Sequence, residues 1–181
     1  MSLRLFAALA IPGAAAERLT ALMRGVPGAR WRPRENLHLT LRFFGEIAEP
    51  VAEDIDASLA AGALRIAPFD VTLKGVGVFG GADPHTLWAG VAPSAPLTTL
   101  AGLCERAARD AGRKKEARGF TPHVTLAYLN NPDRARLIAF EQRCALFEAA
   151  PWRVERFGLY SSQVRRNAPS LYRLEAEYPL G

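Results

Sequence analysis

Asn36-Leu37-His38-Leu39-Thr40-Leu41-Arg42-Phe43 alternates without a break. In an extended chain, residues i and i+2 share a face. Leu37, Leu39, Leu41 and Phe43 then face one side; His38, Thr40 and Arg42 face the other. The stretch reads as a strand over 36–43, apolar towards a core and polar towards a site. A second stretch, Thr121-Pro122-His123-Val124-Thr125-Leu126, repeats the pattern 85 residues after His38, close to half of the 181-residue chain. There His123 and Thr125 share one face, with Val124 and Leu126 opposite.

The rest of the chain fits around these two strands. Residues 3–10 read as a buried strand. The apolar run Leu5 to Ile11 is short for a secretory leader, and Pro12-Gly13 closes it at once. Helices are expected over 14–24, 50–61, 96–111 and from Asn131-Pro132 to about 147, from apolar residues three and four apart and from Pro or Gly at their ends. Further strands are expected near 68–78, 86–92, 152–160 and 170–178, the last two flanking Asn167-Ala168-Pro169. Trp31 to Glu35 reads as a turn-rich, Arg-rich approach to the 36–43 strand. Strands and helices are mixed and no linker-like segment interrupts them, so residues 1–181 read as one α+β domain. Its two related halves face each other across a pseudo-two-fold cleft, with one His motif in each.

Composition narrows the chemistry. The chain is 49% hydrophobic and 23% charged, with a net charge of +5, as a soluble globular protein is. Two cysteines, Cys104 and Cys144, are too few for a disulfide scaffold and fit a reducing cytoplasm. His38, His85 and His123 are scattered, so no zinc-ligand spacing exists and no metal or other cofactor is expected. No apolar run is long enough to span a bilayer, and no Rossmann or P-loop signature is present. The basic residues are 20 Arg against 3 Lys. Codon usage in a GC-rich genome explains that skew as well as an affinity for phosphate does.

A lone His-x-Thr in a strand is usually a cross-strand hydrogen-bond pair. Two equivalent copies, using two of only three histidines, point instead to chemistry. Histidine titrates near neutrality, so one imidazole can act as base while the other acts as acid. Two hydroxyls can hold non-bridging phosphate oxygens between them. In-line displacement at phosphorus needs acid and base on opposite sides, which a two-fold cleft supplies.

Nearly the whole chain resembles the 2H phosphoesterases, and within them the RNA 2′,3′-cyclic phosphodiesterases, also called 2′–5′ RNA ligases. The resemblance is carried by Arg4-Leu5-Phe6-Ala7-Ala8-Leu9, by Trp31, and by Glu35-Asn36-Leu37-His38-Leu39-Thr40-Leu41-Arg42-Phe43-Phe44-Gly45-Glu46. It continues through Leu87-Trp88-Ala89-Gly90, Phe120-Thr121-Pro122-His123-Val124-Thr125-Leu126-Ala127 and Leu159-Tyr160-Ser161-Ser162. It implies two lobes of antiparallel sheet with helices outside, and metal-independent opening of an RNA 2′,3′-cyclic phosphate to a 2′-phosphate. It makes His38 the proton donor to the leaving 3′-oxygen, His123 the base that activates water, and Thr40 and Thr125 the phosphate holders. The spacing alone does not distinguish acid from base.

One departure stands out. Relatives often carry Arg where this chain has Tyr128, and an unbroken strand would put Tyr128 on the Leu126 face, away from His123. Candidate RNA contacts are Arg42, Phe44, Arg118 and Tyr172, together with the loops around Arg30, Arg32 and Arg34 and around Arg113, Lys114 and Lys115. A cytoplasmic monomer acting on RNA ends or small cyclic nucleotides, without a membrane, is the expectation. Two alternatives compete with hydrolysis: the reverse chemistry, forming a 2′–5′ linkage, and a binding module for phosphorylated nucleotides without turnover.

Overall fold

The period-2 segments form strands and the 3.6-period segments form helices in a computed structural model describing residues 2–166 and 168–181. In chain order these are β1 (Ser2–Ala10), α1 (Gly13–Leu22), β2 (Ala29–Trp31), β3 (His38–Ala48), α2 (Glu49–Ala63), β4 (Phe69–Val71) and β5 (Leu73–Phe79). Then follow β6 (Thr86–Val91), α3 (Ala95–Asp110), β7 (His123–Leu129), α4 (Arg134–Arg143), β8 (Trp152–Val154), β9 (Arg156–Arg165) and β10 (Ala168–Pro179). Asn167, expected in the last turn, lies outside the described residues.

Eight strands form one antiparallel sheet in the order β10-β9-β1-β3-β7-β6-β5, with β2 also on β7; β4 and β8 form a separate pair. The fold class is the expected α+β. The expected lobes are the two halves of this one sheet. They meet where Leu39 of β3 pairs with Val124 of β7. Each half repeats a unit: β1, α1 and then β3 beside β1; β6, α3 and then β7 beside β6.

Helices α2 and α3 help to close the apolar side of the sheet. Ser94 caps α3 by accepting a hydrogen bond from the Leu97 amide at 3.3 Å, and Pro96 sits in its first turn, where no amide donor is needed. Its stripe Leu97, Leu100, Cys104 and Ala108 is buried. Ile55, Leu59 and Ala63 of α2 join the same core. Leu39 and Val124 are both fully buried there. A one-residue slip of either motif strand would turn its apolar residues to the other face. Exposing this pair alone would cost roughly 3–6 kcal/mol.

Several boundaries differ from the sequence reading, each for a local reason. The 68–78 strand is two, β4 and β5, because Phe69–Val71 pairs with β8 and the rest with β6. Residues 152–160 likewise divide between β8 and β9. α4 starts later than expected because Asp133, not Asn131, caps it, its side chain accepting from the Arg136 amide at 3.1 Å. Asn131 has a positive φ of 45° and cannot begin a helix. β2, which the sequence reading did not assign beyond Trp31 at the start of the approach segment, is a short strand paired with β7.

The strands also carry register skips, which change which side chains share a face. In β3, Thr40 lies opposite Ala8 and Arg42 opposite Ala7, so Leu41 is an extra residue. A second skip sets Phe43 opposite Phe6 and Gly45 opposite Leu5. Phe44 is thereby turned into the core at 3% exposure, while Phe43 is 41% exposed. The unbroken alternation through Phe43 therefore fails after Leu41. In β7, Trp88 lies opposite Thr125 and Leu87 opposite Ala127, so Leu126 is the extra residue.

Candidate active site

The Leu39–Val124 pair sets the site. In antiparallel register, residues flanking a paired position lie diagonally near one another on the opposite face. His38 and Thr40 flank Leu39, and Thr125 and His123 flank Val124, with the two central side chains in the core. The four polar side chains are half-buried on the other face, around a local two-fold axis through that pair. Thr40 and His123 line one groove of about 690 Å³, so the structure brings the two motifs together.

Both imidazoles are held alike. His38 Nδ1 lies 2.9 Å from the Asn36 carbonyl oxygen, and His123 Nδ1 lies 2.7 Å from that of Thr121. A carbonyl only accepts, so each Nδ1 carries the hydrogen and donates it. Each Nε2 then holds the free lone pair and is the atom that takes or gives a proton. Asn36 is itself buried, and its side-chain amide donates to the Ser170 carbonyl at 2.8 Å. This bond ties the turn before β3 to β10.

Aromatic rings surround the histidines. His38 packs against Phe6 and Tyr172, with ring centroids 4.8 and 5.0 Å away. His123 packs edge-on against Phe79 at 4.9 Å and lies 6.2 Å from Trp88. Burial in these cages disfavours the charged imidazolium. His38 is pushed down to about 4, chiefly by burial, with Arg32 and then His123 adding repulsion against the opposing Asn36 carbonyl bond. His123 is also lowered by burial, opposed by its bond to the Thr121 carbonyl. Burial thus favours the neutral imidazole at both positions in the free protein.

The other expected contacts separate. Phe44 is a core residue, so its ring cannot stack on a base; that expectation is corrected by the register skip. Phe43 instead lines the groove, with the Arg4 guanidinium 5.0 Å above its ring. Arg42 leaves the His38 face after the Leu41 skip. Its Nε lies 2.6 Å from Glu105 and its Nη1 3.2 Å from Glu116, and it donates to the Phe43 and Lys114 carbonyls. With its side chain only 10% exposed, it anchors the basic loop to α3 and borders the same groove as Thr40 and His123. Arg118 is exposed and lines the groove with Lys115 and Phe120. Tyr172 stands beside His38, and its hydroxyl accepts from Arg32 Nη2 at 3.1 Å. His85, the third histidine, is exposed and bonds its neighbour Thr86.

Two features escape the sequence reading, and one of its loop candidates stands apart from its neighbours. Phe79 and Phe6 look like ordinary strand aromatics. Tyr128 is expected away from the site, but the extra residue Leu126 returns it to the His123 face, 39% exposed. Arg32 is one of several loop arginines. It stands before Pro33, a position biased to extended backbone, and that signal could have found it.

Comparison with known proteins gives the family. Residues 11–166 match the model of the 2′-5′ RNA ligase superfamily. The RNA 2′,3′-cyclic phosphodiesterase of Aquifex aeolicus is 31% identical over 157 residues, covering 84% of this chain and 82% of that protein. The protein of the same name from Thermotoga maritima is also 31% identical over 157 residues, covering 86% and 82%. Among solved structures, TT0787 of Thermus thermophilus superposes with a TM-score of 0.82 at 26% identity over 98% of each chain. Escherichia coli LigT in its apo form shares the fold, with a TM-score of 0.79 at 24% identity over 99% of this chain and 98% of that one. Two His-x-Thr strands meeting at one bridged pair, in a chain matched over most of its length, establish that this protein belongs to the 2′-5′ RNA ligase superfamily of 2H phosphoesterases.

Proposed function

We propose that the protein hydrolyses RNA 2′,3′-cyclic phosphate ends to 2′-phosphates by acid–base catalysis between His38 and His123, without a metal. The observation that carries the reading is the Leu39–Val124 pair, whose flanking residues are two Nδ1-anchored histidines and two threonines on one face of the sheet. The names of the relatives give the substrate class.

His123 Nε2 takes a proton from water while the water oxygen bonds to phosphorus. The bond from phosphorus to the 3′-oxygen breaks, and His38 Nε2 gives its proton to that oxygen. A 2′-phosphate and a free 3′-hydroxyl remain. Thr40 and Thr125 donate to the non-bridging oxygens, whose charge grows in the transition state. The resemblance assigns donor and base. In the free protein His38 is the harder of the two to charge, so its protonation relies on the anionic phosphate, which favours imidazolium on either side. The repeated strand–helix–strand unit supports reading the halves as an internal duplication.

The test is incubation with an oligonucleotide ending in a 2′,3′-cyclic phosphate, with EDTA present, and identification of the product. A 2′-phosphate end is expected. Retained cyclic ends would sink the hydrolase reading, and a 3′-phosphate would reverse the regiochemistry.

A further inference from the structure

We propose that Arg32 supplies the fixed positive charge of this active site and binds the substrate phosphate beside His38; the inference rests on the hydrolase reading. Its backbone is pinned by the same irregularity that turns Tyr128. The Arg32 amide donates to the carbonyl of Leu126, the extra residue of β7, at 2.7 Å. This extends the pairing of β2 with β7, in which Arg30 lies opposite Tyr128 and Trp31 opposite Ala127. Trp31 turns inward against Phe140, so Arg30 and Arg32 share the face of Tyr128.

The side chain is then fixed from two sides. Its guanidinium lies 5.1 Å from the Tyr128 ring centroid, and Nη2 donates to Tyr172 Oη at 3.1 Å. Tyr172 in turn packs on His38. Among the described residues, no carboxylate pairs with Arg32. Arg34, Arg153, Arg156 and Arg173 each have one and Arg42 has two. A half-buried guanidinium held by two tyrosines, one of them packed on His38, has an unmet demand for an anion. Its charge also reaches His38, whose pKa it lowers.

The experiment compares wild type with Arg32→Ala, Arg32→Lys and Arg153→Ala. The last removes an equal charge from β8, away from the site. Kinetics on a nucleoside 2′,3′-cyclic phosphate across pH are combined with NMR titration of His38 and with binding of inorganic phosphate. Arg32→Ala is expected to lose about 10–100-fold in kcat/KM. It should also weaken phosphate binding and raise the His38 pKa, with Arg32→Lys restoring part of each. Arg153→Ala should stay within about threefold, as for an exposed ion pair. If Arg32→Ala does not fold, Arg32→Gln takes its place. Unchanged phosphate binding and an unmoved His38 titration would overturn the proposal, even if the rate fell, since a structural role explains a rate loss alone. If wild type turns over no cyclic phosphate, the hydrolase reading fails by itself. Phosphate binding then decides the matter for Arg32: weaker in Arg32→Ala supports it and equal affinity overturns it.

Discussion

In the half built on β3, His38 packs against Phe6 and Tyr172 with the charge of Arg32 acting on it; in the half built on β7, His123 lies against Phe79 and Trp88 and opens on the groove. The local frame is the same in both. Each histidine begins its strand and donates from Nδ1 to the carbonyl two residues back. What differs is what neighbouring strands deliver. A repeated motif thus repeats geometry, while the surroundings assign each copy a different electrostatic setting. Acid–base catalysis needs that asymmetry, because two imidazoles in identical settings would not divide the roles.

The largest test of this comparison removes each imidazole. His38→Ala and His123→Ala should each lose about 10²–10⁴-fold in kcat/KM, as general acid–base groups do. Near-wild-type activity in either variant would take that half out of the mechanism. Next come the hydroxyls. Thr40→Val and Thr125→Val should each cost about 10²-fold if both donate to the developing oxyanion. A large loss in one only would make the phosphate cradle one-sided.

Acid sharpens the contrast between the halves. His38 is held at about 4 in the folded protein, against an ordinary 6.5 unfolded. Between those values the unfolded chain binds more protons, so stability falls as pH falls from 6.5 towards 4 and is unaffected by this group above 6.5. The loss by pH 4 is on the order of 2–3 kcal/mol. His123 adds a smaller loss of the same sign. Urea unfolding across this range should show the slope, and His38→Gln should flatten it more than His123→Gln does. The same shifts place the kcat/KM optimum on the acid side of 6.5, and an optimum at pH 8 would contradict them.

The smallest effect concerns the anchors. Asn36→Ala removes the bond to the Ser170 carbonyl that steadies the turn before His38. It should cost about 1–3 kcal/mol of stability. The carbonyl bonded to His123 belongs to exposed Thr121, so Thr121→Ala should be close to neutral in the same unfolding assay. Equal losses would show that the two anchors are alike after all.

Much of this was legible in the chain. The alternation of Leu37, Leu39 and Leu41 with His38 and Thr40 fixes strand, face and site chemistry together, because a period of two leaves no other way to bury three leucines. The repeat at His123 fixes the second half by the same logic. Helices α2 and α3 follow from Pro50, Pro96 and their apolar stripes. The face of Arg42, Phe44 and Tyr128 was not legible. Each lies beyond a register skip, and a skip shows only against the partner strand: β1 for the first two, β6 for the third.

The sequence by itself determined the two motif strands, the four polar side chains and the α+β class, since local periodicity and hydrophobic burial suffice for these. Tertiary structure alone decided that the motifs meet at Leu39 and Val124, that Arg42 is held by Glu105 and that Arg32 stands near His38. Those outcomes depend on which strands pair, and in what register, across separations of tens of residues. The energy that settles such pairing is summed over the whole sheet and core and resides in no one segment.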